Sequence, residues 1–245
     1  MSVVRSGYQD HVFEYRLQPI VRIRDSQPFS FELLLGRDRC PDMTSGQWIA
    51  WYEWLPMVAL RHPGKTMFVN VDGPHLLDPS VMSALIAMRR RVESAGFGGH
   101  IVLEWTERGT EQDVEGALDL ILELQSMGFQ IAVDDVGSGA DGIGRICLVR
   151  PKYAKIAHSL FHGLRSLSDI ERLTRLRLSL EAFGCSVILE GVENEGDLHL
   201  ARASGMSLVQ GYLYPASTHK VGPIDVPEDA LEMRNTLLDQ ERAHA

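Results

Sequence analysis

Short runs rich in valine, isoleucine and phenylalanine alternate with longer amphipathic stretches from about Val12 to Tyr214. The runs predict strands over Glu14–Val21, Phe29–Leu34, Thr66–Val71, His100–Trp105, Gln130–Asp134, Tyr153–Ile156, Ser186–Leu189 and Leu208–Leu213, usually with Gly, Pro, Asn or Asp nearby. Between them, apolar residues recur with helical period. Val114, Ala117, Leu118, Ile121 and Leu122 mark one face of a helix that Gly128 should stop. Leu173, Leu176, Leu180 and Phe183 mark a second, stopped by Gly184, and Ser83–Val92 and Glu195–Ala203 read likewise, the latter ending before Gly205. Strand–helix repetition implies a mostly parallel sheet with helices outside, either closed or open.

The polar positions choose between the two. Glu32 follows the run PFSF, Asn70 follows MFV, Glu104 follows HIVL, Asp134 and Asp135 follow FQIAV, and Glu190 follows CSVIL. A carboxylate directly after a buried strand is costly unless a cation accompanies it. Taken singly, each has an ordinary explanation, such as a strand-end cap at Asn70 or a turn at Asp134–Asp135. Taken together they point to a metal centre, since several carboxylates on one rim repel one another without a cation. Strand ends meet on one rim in a barrel, whereas an open sheet gathers ligands at one or two strand ends. The expected fold class is therefore α/β, a TIM-like (β/α)8 barrel.

Composition agrees and narrows the partners. The 245 residues suit one α/β barrel, and 44% hydrophobic with 23% charged residues suits a globular core. One domain over 1–245 is expected, with a core over about 13–222 and a C-terminal helix or tail over 226–245 carrying Leu231, Met233, Leu237 and Leu238. A formal charge of −9 with no long basic run argues against a nucleic-acid polymer as partner. It leaves a phosphate-bearing small molecule open, because bound metal reverses the local sign. The start MSVVRSGYQDHVF is too polar for a signal peptide and no apolar run reaches membrane-spanning length, so a cytoplasmic location without membrane contact is expected. Cys40, Cys147 and Cys185 are widely spaced and odd in number, which suits reduced thiols better than disulfide or zinc roles.

The chain resembles the EAL family of cyclic di-GMP phosphodiesterases from roughly Phe13 to Pro215. The resemblance is carried by eight collinear pieces: LQPIV at Leu17–Val21, FELLL at Phe31–Leu35, FVNVD at Phe68–Asp72, LEWTE at Leu103–Glu107, AVDDVGSG at Ala132–Gly139, AKIA at Ala154–Ala157, LEGVE at Leu189–Glu193 and QGYLY at Gln210–Tyr214. It implies hydrolysis of cyclic di-GMP to linear pGpG with two divalent ions, Mg²⁺ or Mn²⁺, in bacterial second-messenger signalling, and a barrel with one irregular or antiparallel strand. Hard oxygen donors suit such ions, and paired ions clamp the attacking and leaving oxygens. By motif position Glu32, Asn70, Glu104 and Asp134 bind the first ion, and Asp134 bridges to a second held also by Asp135. Glu190 matches the general base, and Lys155 orients the water and a carboxylate. Gln18 and Gln210 match substrate contacts, and Glu107 and Glu193 match braces of the loop after the double Asp. Family members often dimerise, so the resemblance leaves a homodimer open, while the sequence itself does not give the oligomeric state.

The chain also departs from the pattern. Gly36 stands where the family carries a phosphate-clamping arginine, a contact that a guanidinium makes bidentately. The loop reads DDVGSGADG in place of DDFGTGYSS, Ala157 replaces an acid, and Arg37–Gln47 is shorter than usual. These departures imply reduced activity, or an alternative function as a cyclic di-GMP receptor or a module that binds a regulatory protein.

Overall fold

The structure is a computed structural model and describes residues 13–35, 44–96, 100–106, 108, 110–138, 142–167 and 169–221. Gly36, Arg37, Cys40, Glu107, part of the DDVGSGADG loop and the expected C-terminal helix lie outside the described residues.

In chain order the elements are β1 (Phe13–Arg22), β2 (Gln27–Leu35), α1 (Ser45–Leu60), β3 (Met67–Val71), α2 (Gly73–Leu76), α3 (Pro79–Ser94), β4 (Ile101–Trp105), α4 (Glu111–Ser126), β5 (Gln130–Val136) and α5 (Gly142–Val149). They continue with β6 (Tyr153–Ile156), α6 (His158–Leu167), α7 (Ile170–Ala182), β7 (Ser186–Leu189), α8 (Glu195–Ala203), β8 (Leu208–Val209) and β9 (Ser217–Val221). Strands β2 to β8 run parallel in sequence order, and β1 closes the barrel by pairing antiparallel with both β2 and β8. The barrel expected from the sequence is present, and β1 is its antiparallel strand.

The glycine stops hold: Gly128, Gly184 and Gly205 adopt φ of +91°, +87° and +77°, the left-handed conformation that ends a helix. Besides helices α2, α5 and α6, which the sequence did not mark, three features escaped the periodicity. Helix α1 is apolar around most of its circumference, burying Trp48, Trp51, Trp54 and Val58, so it shows no stripe. Strand β9 is polar and pairs antiparallel with Phe13–Leu17 of β1. The eighth strand stops at Val209 instead of running to Leu213, because Gly211 presses on the Val192 backbone and the chain turns, the Tyr214 amide donating to the Gly211 carbonyl at 3.0 Å.

The barrel interior is layered. Ile20, Phe68, Val102, Ala132, Tyr153, Ile188 and Leu208 form a closed apolar plug inside the strands, while the larger core lies between strands and helices. Side chains on a strand alternate faces, so the residue two positions on points inward again. That step gives Asn70 from Phe68, Glu104 from Val102, Asp134 from Ala132, Lys155 from Tyr153, Glu190 from Ile188 and Gln210 from Leu208. On β1, which runs the other way, it leads back from Ile20 to Gln18, directly opposite Glu32 of β2. The polar residues are thus one inward layer resting on an apolar floor.

Candidate metal centre

Lys155 stands at the middle of this layer with 1% of its side chain exposed. Its Nζ lies 2.5 Å from Glu104 Oε1, 2.7 Å from Glu190 Oε1, 3.1 Å from Glu32 Oε2 and 3.4 Å from Asp134 Oδ1. Asn70 Nδ2 donates to Glu32 Oε1 at 3.3 Å, and Gln210 Nε2 donates to Glu32 Oε2 at 2.5 Å. Four of the sequence-predicted carboxylates thereby gather around one ammonium, and Asn70 and Gln210 tie two further strand ends to Glu32. Above them opens a cavity of about 510 Å³, lined among others by Gln18, Glu32, Asp134, Asp135, Glu190 and Gln210.

Charge in this layer does not balance. Among the described residues of this layer, five carboxylates, Glu32, Glu104, Asp134, Asp135 and Glu190, stand against one ammonium, Lys155, which lies within 3.4 Å of four of them. Burial and the negative charge of Glu32 push the Glu104 carboxyl well above the usual range, Lys155 offsetting them only in part. Burial also lifts Glu190, to about 8, with Lys155 opposing and Asp134 and Glu32 adding to the rise. Burial works against the Lys155 charge as well, but Asp134, Glu104, Glu190 and Glu32 together raise its pKa well above the ordinary lysine value. Glu32 goes the other way: burial would raise it, yet Lys155 and the Gln210 and Asn70 amides hold it low. At neutral pH the metal-free layer therefore keeps protons in place of a missing positive charge.

The residues present fit a divalent cation. Oxygens of Asp134, Asp135 and Glu190 all lie within 4.8 Å of one another. Glu104 Oε2, Asp134 Oδ1 and Gln210 Oε1 are buried and accept no hydrogen bond, the 3.4 Å approach of Asp134 to Lys155 being an ion pair only. Orphaned buried acceptors of this kind call for a donor or a cation, and an all-oxygen set suits a hard ion.

The model of the EAL domain family matches residues 54–216, more than half of the chain. The chain belongs to the EAL-domain family. It is 31% identical over 116 residues to the cyclic di-GMP phosphodiesterase TpdA of Vibrio parahaemolyticus, covering 47% of this chain and 20% of that protein. It is 25% identical over 232 residues to the probable cyclic di-GMP phosphodiesterase PdeD of Escherichia coli, covering 86% of this chain and 42% of that one. The chain thus spans less than half the length of these curated relatives. Among solved structures, the calcium and cyclic di-GMP complex of Klebsiella pneumoniae BlrP1 superposes with a TM-score of 0.69 at 18% identity, over 90% of this chain and 61% of that one, a likeness of fold.

Within this EAL domain Gln18 lines the cavity from β1, opposite Glu32, while Glu193 sits apart from the acidic layer. Glu193 accepts from Arg165 of α6 at 3.2 Å and approaches His158 Nε2 at 3.6 Å, while Arg165 also bonds Asp197 of α8 at 3.0 Å. Leu160 of the same helix α6 packs on Gly137.

The motifs do not single out a third inward layer. Asp72, two residues beyond Asn70, accepts from Thr106 Oγ1 at 2.7 Å and lies 3.7 Å from Arg108. Arg16, two residues before Gln18, also lines the cavity. The period-2 step from Asn70, Glu104 and Gln18 is the signal that would have found Asp72, Thr106 and Arg16.

Proposed function

We propose that this EAL domain hydrolyses one phosphodiester of cyclic di-GMP to linear 5′-pGpG with two divalent cations, Mg²⁺ or Mn²⁺. The reading is carried by the acidic layer itself: five carboxylates facing one lysine under an open cavity, with acceptors left unbonded. Two doubly charged ions match the four net negative charges that the layer carries once Glu104 and Glu190 have given up their protons. Bound there, the ions polarise the phosphoryl oxygen and acidify water.

The chain's own groups supply the rest. Glu32, Asn70, Glu104, Asp134 and Asp135 hold the cations. Glu190, at the cavity floor beside Lys155, takes the proton from the attacking water as its oxygen bonds phosphorus. The bond from phosphorus to the 3′ oxygen breaks, that oxygen takes a proton from solvent water to become the 3′ hydroxyl, and the phosphate stays on the 5′ side. Lys155 keeps Glu190 and Glu104 aimed at one point and stabilises charge gathering on the phosphoryl oxygens. Gln18 and Gln210 contact the substrate from the antiparallel strand and the eighth strand end.

The test is turnover of cyclic di-GMP with Mn²⁺ or Mg²⁺ by wild type, Glu190→Gln and Glu32→Ala. Wild type should turn over. Glu190→Gln should fall by about 10²–10⁴-fold, the usual contribution of a general base, with ion binding reduced far less than in Glu32→Ala. Folded wild type that binds the dinucleotide without cleaving it under either metal replaces this reading with that of a receptor.

A further inference from the structure

We infer that Arg145 is a positioning residue that locks the backbone on which the paired aspartates converge. Successive strand residues point to opposite faces, so Asp134 and Asp135 should not share a cavity. Strand β5 escapes the alternation through a bulge: Val133 pairs with Ala154 and Val136 with Ile156, so two residues of β5 face Lys155 alone. Within the bulge Asp135 takes φ of +53°, the left-handed region that Asp tolerates better than most side chains. This turn brings its carboxylate round beside those of Asp134 and Glu190.

A bulge breaks the ladder, and the carbonyls it releases need donors. The Asp135 carbonyl accepts from the Ser138 amide at 3.1 Å and its hydroxyl at 2.9 Å. The Asp134 carbonyl accepts from Arg145 Nη2 at 3.1 Å, while Nη1 of the same guanidinium donates to the Trp105 and Thr106 carbonyls at 3.0 Å each. The last β4–β5 pair is Trp105 with Val133, so Arg145 bridges the two strands just where their ladder ends. One end of the bridge carries Glu104, the other Asp134 and Asp135. The side chain is 3% exposed, its guanidinium lies 5.2 Å from the Trp105 ring, and its helix α5 starts at Gly142, which packs against the Val136 backbone. A planar fork with five donors can serve three carbonyls in this way, and an ammonium cannot match its geometry.

The inference rests on the proposed function for the identity of the ion but not for the backbone geometry, and its test separates the two. The variants are Arg145→Met, Arg145→Lys and the control Val149→Ala, which lowers packing on the same helix without touching the carbonyls. Backbone chemical shifts of Asp135 in the metal-free protein report its φ, and electron paramagnetic resonance counts bound Mn²⁺. In Arg145→Met the Asp135 shifts should leave the left-handed range and Mn²⁺ affinity should fall about ten- to a hundred-fold, the usual cost of losing a group that orients metal ligands. Arg145→Lys should fold and lose affinity by a smaller factor, while Val149→Ala should melt earlier with both readouts unchanged. Left-handed shifts and wild-type Mn²⁺ affinity in either folded Arg145 variant overturn the inference, as does an equal loss in Val149→Ala. If wild type binds no Mn²⁺, the proposed function falls and the chemical shifts alone decide the role of Arg145.

Discussion

Replacing Lys155 by methionine removes the one ammonium that Glu104, Glu190, Glu32 and Asp134 share at 2.5–3.4 Å. Methionine has nearly the same length, so lost packing is minor and the effect is electrostatic. Breaking a buried pair by deleting one partner costs about 3–5 kcal/mol, because the remaining charge stays buried and uncompensated. At about 2–4 °C per kcal/mol for a domain of this size, the melting temperature at pH 8 should drop by about 6–20 °C. The sign of the pH dependence follows from the carboxyls. Without Lys155 the folded pKa values of Glu104 and Glu190 rise further above the unfolded ones and Glu32 loses the partner that holds it low, so the folded state binds more protons and stability falls as pH rises above the ordinary carboxylate range. The deficit should therefore be largest at pH 8 and shrink at pH 5, where the carboxyls protonate at little cost. Scanning calorimetry of both proteins at the two pH values checks this. Equal melting temperatures at pH 8, or a deficit of the same size at both, would refute the reasoning and mean that the layer is screened by solvent.

Other outcomes follow from the same geometry. Since Glu190 is held at about 8 in the metal-free protein, Mn²⁺ binding at pH 7 should release protons and affinity should climb with pH until about 8; calorimetry in buffers of different ionisation heat measures this, and no release at pH 7 contradicts it. Gly211→Ala places a Cβ 2.1 Å from the Val192 carbonyl oxygen, so the turn carrying Gln210 must shift, at a cost of about 1–3 kcal/mol or more in urea unfolding; a change under about 0.5 kcal/mol would mean the turn yields freely. Cys185 is buried with its thiol pushed up to about 11, while Cys147 is exposed, so iodoacetamide at pH 8 should label Cys147 well before Cys185, as peptide mass mapping will read.

The barrel was legible because its alternation of short and long segments is a property of buried strands and covering helices. The glycines at 128, 184 and 205 marked helix ends because the left-handed cap requires them. Helix α1 was hidden because apolar residues occupy most of its circumference, with only Gln47 and Glu53 exposed, and periodicity registers contrast. The acidic layer was legible residue by residue, but its meaning depended on depth. Only the fold shows that Asn70, Glu104, Asp134, Lys155, Glu190 and Gln210 each stand one inward step above the apolar plug. The bulge at Asp134–Asp135 and the contacts of Arg145 were not legible, because a bulge is set by pairing with β6 and β4. A lone arginine in GIGRICLV gives no local sign that it will be buried against three carbonyls.

The most direct test of the acidic layer as a two-cation centre is anomalous diffraction at the manganese edge from crystals of this protein grown with Mn²⁺. The account predicts two peaks about 3.5–4 Å apart, in contact with Asp134 and flanked by Glu104 and Asp135. No anomalous peak at Asp134 under saturating Mn²⁺, or a single ion at full occupancy, would contradict it.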